Sequence, residues 1–171
     1  GLIHGLADDI KAGSISIILN AGDHEDINDA LLTSVHQAGF SSSQLTHIDS
    51  YDQVVDLANT LSKSKSIAPI TILFFHETFP AVTATDILAR YIDILACKPS
   101  ELAFFPVPKL MIRRVGDHEA SSANRANELA DGTAEIRSVE HAIDYLRLFA
   151  DSIDMITTMN EAIKTNVQNG V

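Results

Sequence analysis

Short β-branched apolar runs alternate along the chain with longer stretches whose apolar residues recur every three or four positions. Residues 14–19 (S-I-S-I-I-L) have the length and isoleucine content of a buried strand. Residues 26–38 follow with Ile27, Ala30, Leu31, Val35 and Ala38 at helical spacing, and Gly39 supplies a stop. Residues 44–48 predict a short strand. Residues 51–61 predict a helix carrying Val54, Val55, Ala58 and Leu61 on one side, with Asp49 or Ser50 as its cap. The strongest strand signal is 70–75 (I-T-I-L-F-F), apolar on both faces as a central parallel strand should be. Beyond it the pattern predicts a helix over 85–97, a strand over 102–107, a helix over 121–131 ended by Gly132, and a weak strand over 133–137. A long helix is predicted from about residue 139 to about residue 166.

Strands that alternate with helices in this way predict an α/β fold. The expected architecture is a flavodoxin-like, five-stranded parallel sheet with helices on both faces and an extended C-terminal helix. No tract rich in Pro, Gly or Ser separates two apolar blocks. Residues 1–13 are therefore expected as a tail or linker, 14–152 as one domain, and 153–171 as a helical extension. Gly22-Asp23-His24-Glu25 recurs as Gly116-Asp117-His118-Glu119, but the flanks differ and the recurrence reads as chance.

At 171 residues with 46% hydrophobic content, the chain has enough apolar material for a sizeable core. Its formal net charge of -11 argues against binding duplex nucleic acid or an anionic membrane surface. One cysteine excludes an internal disulfide framework and a multi-cysteine zinc site. No apolar run approaches the roughly 18 residues that a bilayer span needs. The start shows no basic segment followed by an apolar one, so no secretory leader is assigned and a cytoplasmic protein is expected.

In an open parallel sheet, ligands collect at the carboxyl ends of the strands. No phosphate-binding G-x-x-x-x-G-K-[ST] loop occurs there, and the first β-α turn has one glycine, Gly22, rather than G-x-G-x-x-G. Cys97, beside Lys98 at a helix end, reads as a bystander. What remains is acidic and imidazole chemistry: Asp23, Glu25 and Asp26 with His24 and His76. Carboxylates suit Mg²⁺ and imidazoles suit Zn²⁺, so Asp23 and His76 are the metal candidates. The plainer alternative is an acidic first helical turn opposing the helix dipole.

The order of these segments resembles the receiver domain of two-component response regulators. Receivers read V-D-D-H-E-D-I at the first helix entry; this chain reads Ala21-Gly22-Asp23-His24-Glu25-Asp26-Ile27. Gly39-Phe40, the helix start at Ser50-Tyr51-Asp52 and the apolar third strand follow in the expected order. Phe79-Pro80 takes the place of the family's Met-Pro pair, which puts His76 at the phospho-acceptor position. The family's acidic pair is reduced to Asp23 beside Gly22. Its Thr or Ser after the fourth strand is absent from Phe104-Phe105-Pro106-Val107, and its Lys-Pro is replaced near Arg137-Ser138. The resemblance therefore implies a degenerate pseudo-receiver with a vestigial pocket of Gly22, Asp23, Glu25, Asp26 and Arg137. It implies no aspartyl-phosphate chemistry and no cofactor other than Mg²⁺ as a candidate. His76 itself is expected as a structural histidine hydrogen-bonded to Asp23 or Glu77, or else as a phosphoryl acceptor, metal ligand or pH switch. Arg113 and the R-x-x-D stretch Arg114-Val115-Gly116-Asp117 lie in a charged loop.

Leu146, Phe149, Ile153, Ile156, Asn160, Ile163 and Val167 alternate at spacings of three and four, as in a coiled-coil seam. Phe149, Ile153, Ile156, Asn160 and Ile163 are the expected dimerisation residues. The expected function is a non-catalytic regulatory domain acting through a homodimer, another signalling protein or a downstream output domain. Two alternatives come from other classes. One is a small α/β enzyme whose metal or phosphate site uses Asp23, Glu25, His76 and Glu77, for hydrolysis or phosphoryl transfer. The other is a small-ligand sensor.

Overall fold

The computed structural model describes residues 1–99, 105–112 and 120–170, in two compact units, Gly1–Tyr91 and Ile92–Val171. In the first unit the opening residues form α1 (Leu2–Gly5) and α2 (Ala7–Ala12). Ile3, Leu6 and Ile10 are buried, so this segment is folded into its unit rather than trailing from it. Then come β1 (Ile17–Asn20), α3 (Glu25–Gln37), a single 3-10 turn at Ser42–Gln44, β2 (Leu45–Ile48), α4 (Tyr51–Ser62), β3 (Ile70–Leu73) and α5 (Thr78–Leu88).

β3 lies between the other two strands and pairs in parallel with both. Ile70 faces Ile17 on one side and Leu45 on the other; Leu73 faces Asn20 and Ile48. All four β3 residues are buried, whereas β1 and β2 are only partly so. The I-T-I-L run thus sits where both faces are covered. Ile48, Leu73 and Phe75 pack with Val54 and Ala58 of α4 and with Ala81, Ala84 and Leu88 of α5.

The second unit contains β4 (Leu95–Cys97), β5 (Lys109–Met111), α6 (Ala120–Glu128), α7 (Val139–Asp151) and α8 (Ile153–Asn169). β4 and β5 pair in parallel, Leu95 opposite Lys109 and Cys97 opposite Met111. The segment after α6 completes this small sheet through isolated bridges, Lys109 with Gly132 and Ile112 with Ile136. Gly132 is there for close approach. A Cβ at this position would stand 2.9 Å from the Ala126 Cβ and 3.2 Å from the Met111 Cε.

The expected five-stranded flavodoxin-like sheet does not form. The strands make a three-stranded sheet ordered β1-β3-β2 and a separate two-stranded one. A flavodoxin-like sheet places its first strand between the second and third; here the third strand is central. The expected strand at 133–137 contributes bridges only. The expected strand at 102–107 falls partly outside the described residues, and the next strand is Lys109–Met111 instead. The helix expected over 85–97 begins at Thr78 and ends at Leu88, and Leu95–Cys97 is extended. Pro80 sits in the first turn of α5, where its missing N–H costs nothing.

The extended C-terminal helix is also corrected. It breaks at Ser152 (φ -127°, ψ 77°) into α7 and α8. Arg113, Arg114 and the Arg114-Val115-Gly116-Asp117 stretch lie outside the described residues. Among the described residues no helix is long and apolar enough to cross a membrane.

Candidate functional site

Two places concentrate polar chemistry. The first is the carboxyl edge of the three-stranded sheet, where the sequence placed its acidic cluster. Gly22 turns the chain there with φ +66°, a left-handed conformation suited to glycine. Its carbonyl accepts the Phe75 N–H at 2.9 Å, and its own N–H donates to Asn20 Oδ1 at 2.9 Å. Asn20 also reaches α5, donating from Nδ2 to the Ala81 carbonyl at 3.1 Å and to Thr85 Oγ1 at 2.9 Å. Asp23 makes the same crossing: Thr78 Oγ1, in the first residue of α5, donates to Asp23 Oδ2 at 2.5 Å. The Thr78 hydroxyl, with the Asp23 backbone amide and the nearby His24, holds this carboxyl below its ordinary value. His24 Nε2 stands 3.6 Å from Asp23 Oδ1, and both side chains are exposed.

The other residues of this cluster are less tightly gathered. Glu25 and Asp26 form the exposed first turn of α3, opposing its dipole. Glu77 is the extended N-cap residue of α5, and its side chain makes no cap hydrogen bond. His76 is exposed, with its ring edge-on to Phe74 at 5.3 Å between centroids. Arg137 belongs to the second unit, where Nη2 donates to Glu135 Oε2 at 3.1 Å. Among the described residues no group of three or more His, Cys, Asp or Glu side chains could hold a metal ion.

The second place lies wholly within the second unit, in a groove of about 890 Å³. Pro99, Phe105, Pro106 and Leu129 supply apolar surface to it, and Ile163 and Val167 of α8 add more. Lys109 and Asp131 also line it. The Lys109 side chain is 1% exposed, although a lysine is rarely buried without partners. Its Nζ donates to the Val107 carbonyl at 3.1 Å and stands 3.5 Å from Asp131 Oδ2. Asp131 Oδ1 is buried and has no hydrogen-bond partner among the described residues.

The backbone around this pair is clamped. Lys109 N–H donates to the Asp131 carbonyl at 2.9 Å, and Thr133 N–H returns to the Lys109 carbonyl at 3.0 Å. Met111 N–H donates to Thr133 Oγ1 at 3.0 Å. Asn166 of α8 donates from Nδ2 to the Leu129 carbonyl at 3.0 Å, meeting an acceptor that the end of α6 leaves unsatisfied.

A family model for a domain of unknown function, DUF6938, matches residues 1–171. The chain belongs to the DUF6938 family. No curated protein and no solved structure matches it. Nothing in the DUF6938 match links the chain to receiver domains.

The sequence reading missed the Lys109–Asp131 pair of this DUF6938 chain. Lys109 opens the apolar run Lys109-Leu110-Met111-Ile112, which lies just beyond the strand expected over 102–107. Pro108 directly before it is compatible with a strand, because the first residues need not donate to the ladder. Reading Lys109 as a strand residue would have placed a charge in the core.

The expected dimerisation residues divide. Phe149 and Ile163 are buried within the protein, whereas Ile153 is 76% exposed. Ile156 and Asn160 are half-buried, and Asn160 Nδ2 donates to the Ile156 carbonyl of its own helix at 3.1 Å.

Proposed function

We propose that this protein is a non-catalytic regulatory domain that binds a small molecule in the groove of its second unit. The observation that carries the proposal is the groove itself. Its volume falls within the roughly 300–1,000 Å³ of ligand pockets, and its walls mix apolar side chains such as Phe105, Leu129 and Ile163 with the polar Lys109, Asp131 and Asn166. The acidic edge of the first unit supports the same choice from the other side. Asp23 and Asn20 spend their side chains tying the β1 loop to α5, which is a structural use.

The regulatory role expected from the sequence is kept here and joined to the small-ligand sensing that stood beside it as an alternative. Occupancy has a route outward, because Ile163, Asn166 and Val167 of the terminal helix line the groove. Val167 is 64% exposed, and a ligand there would cover it. A partner protein or a second copy then reads α8 in its covered or uncovered form. The proposed setting is the cytoplasm, which suits a chain whose single cysteine allows no internal disulfide.

Thermal unfolding with a panel of small apolar fragments tests the proposal. A ligand that binds only the folded state raises the midpoint in proportion to its occupancy. Ser122, half-buried on α6, lines the groove. Ser122→Trp should fill the groove and abolish the stabilisation, while circular dichroism of the unliganded variant stays unchanged. Equal stabilisation of the wild type and a folded variant would place binding elsewhere and overturn the proposal.

A further inference from the structure

The Lys109–Asp131 pair narrows the ligand class, an inference that rests on the groove reading above. An ammonium carries three N–H donors. Lys109 Nζ has the Val107 carbonyl at 3.1 Å and Asp131 Oδ2 at a long 3.5 Å, and no third acceptor among the described residues. Among the described residues Asp131 Oδ1 is a buried acceptor without a donor. One groove therefore holds a spare donor and a spare acceptor on side chains of opposite charge. Such under-satisfied buried groups are uncommon in native proteins and call for an explanation.

We propose that the groove recognises an uncharged, flat ring whose edge offers a hydrogen-bond acceptor beside a donor, as a lactam or cyclic amide does. The acceptor would meet Lys109 Nζ and the donor Asp131 Oδ1. In the free protein both groups are nearly closed to solvent, the Lys109 side chain at 1% exposure and Oδ1 buried, so a ligand reaches them only when Asp131 turns about χ2, a soft torsion, and opens the pair toward the groove.

Charge selects against the alternatives. A ligand carboxylate attracted by Lys109 would also face Asp131, and a ligand ammonium would meet the reverse conflict. Because the pair sums to zero, a neutral edge satisfies both members without burying a new charge. Arg125 also lines the groove but is exposed and stands 3.6 Å from the exposed Glu128, so water screens its charge. The shape of the ring follows from Phe105, Pro99 and Pro106, whose flat apolar surfaces line the same groove.

Amide NMR titration of the full chain with three probes tests the inference: 2-pyridone with a lactam edge, benzoate with an anionic edge, and toluene with neither. The expected result is saturable shifts at residues 109–111 and 131–133 with 2-pyridone, which binds about tenfold more tightly than the other two, as one or two net hydrogen bonds would give. The double variant Lys109→Met/Asp131→Leu should erase the preference for 2-pyridone over toluene. Tighter binding of benzoate, equal binding of all three probes, or a preference that survives in the folded double variant would overturn the inference while leaving the groove reading in place. Absence of groove shifts with every probe would remove both. The wild-type series decides the matter even if the double variant does not fold.

Discussion

At the scale of single residues, Asp23 and Lys109 show how position decides whether a charged side chain is structural or available. The Asp23 carboxylate is engaged by the Thr78 hydroxyl, which favours its ionised form. Its folded-state pKa lies below the unfolded value, so its contribution to stability is present above the unfolded pKa. That contribution is lost as pH falls through the folded pKa. Thr78→Val should therefore raise the Asp23 pKa toward the ordinary carboxylate value, as read by carboxyl ¹³C NMR. The stability difference between wild type and variant should shrink as pH falls below both values. An unchanged Asp23 titration would mean that the Thr78 contact is absent in solution. Lys109 differs because burial of the pair makes the loss of one partner expensive. Lys109→Met leaves the Asp131 carboxylate without its cation and should cost about 1–3 kcal/mol in denaturant unfolding. Adding Asp131→Leu should recover most of that loss, because a well-packed apolar replacement of a buried ion pair is often neutral. Failure to recover would show that the two side chains are not coupled.

At the scale of elements, the terminal helices separate what periodicity reveals from what packing decides. The three-four spacing of Phe149, Ile153, Ile156 and Ile163 is genuine, but the break at Ser152 turns it into two short faces. Ile163→Ala, at a position 7% exposed, should cost about 2–5 kcal/mol, whereas Ile153→Lys, 76% exposed, should stay within about 0.5 kcal/mol. Chemical denaturation of the two variants checks this, and equal costs would contradict the observed burial. No glycine or proline marks the break at Ser152, so it was not legible in the sequence. The elements of the first unit were legible, from β1 to β3, because Ile70–Leu73 is a short, mostly apolar run and α4 buries Val54 and Ala58 at helical spacing. Their order in the sheet was not: parallel strands of similar apolarity do not encode which one is central. The pairing of Leu95–Cys97 with Lys109–Met111 was hidden for a related reason. Three-residue apolar runs have no period to read, and a buried lysine at the head of one disguises it. The acidic edge was legible at Asp23 from its charge and from its place just after the first strand. The groove was missed because its members, from Pro99 to Val167, are scattered along the sequence and meet only after folding.

At the scale of the whole molecule, the net charge of -11 favours solubility and disfavours anionic partners, but it does not choose a ligand. The division after Tyr91 assigns the tightly tied acidic edge to one unit and the groove to the other. The central claim is that small-molecule binding belongs to the groove. The most direct measurement is a map of amide shifts across the isotope-labelled full chain during titration with 2-pyridone. Saturable shifts confined to residues 105–112, 121–133 and 163–167 are expected. Shifts centred on residues 20–26 and 74–78 instead would contradict that claim and return the function to the acidic edge of the first unit.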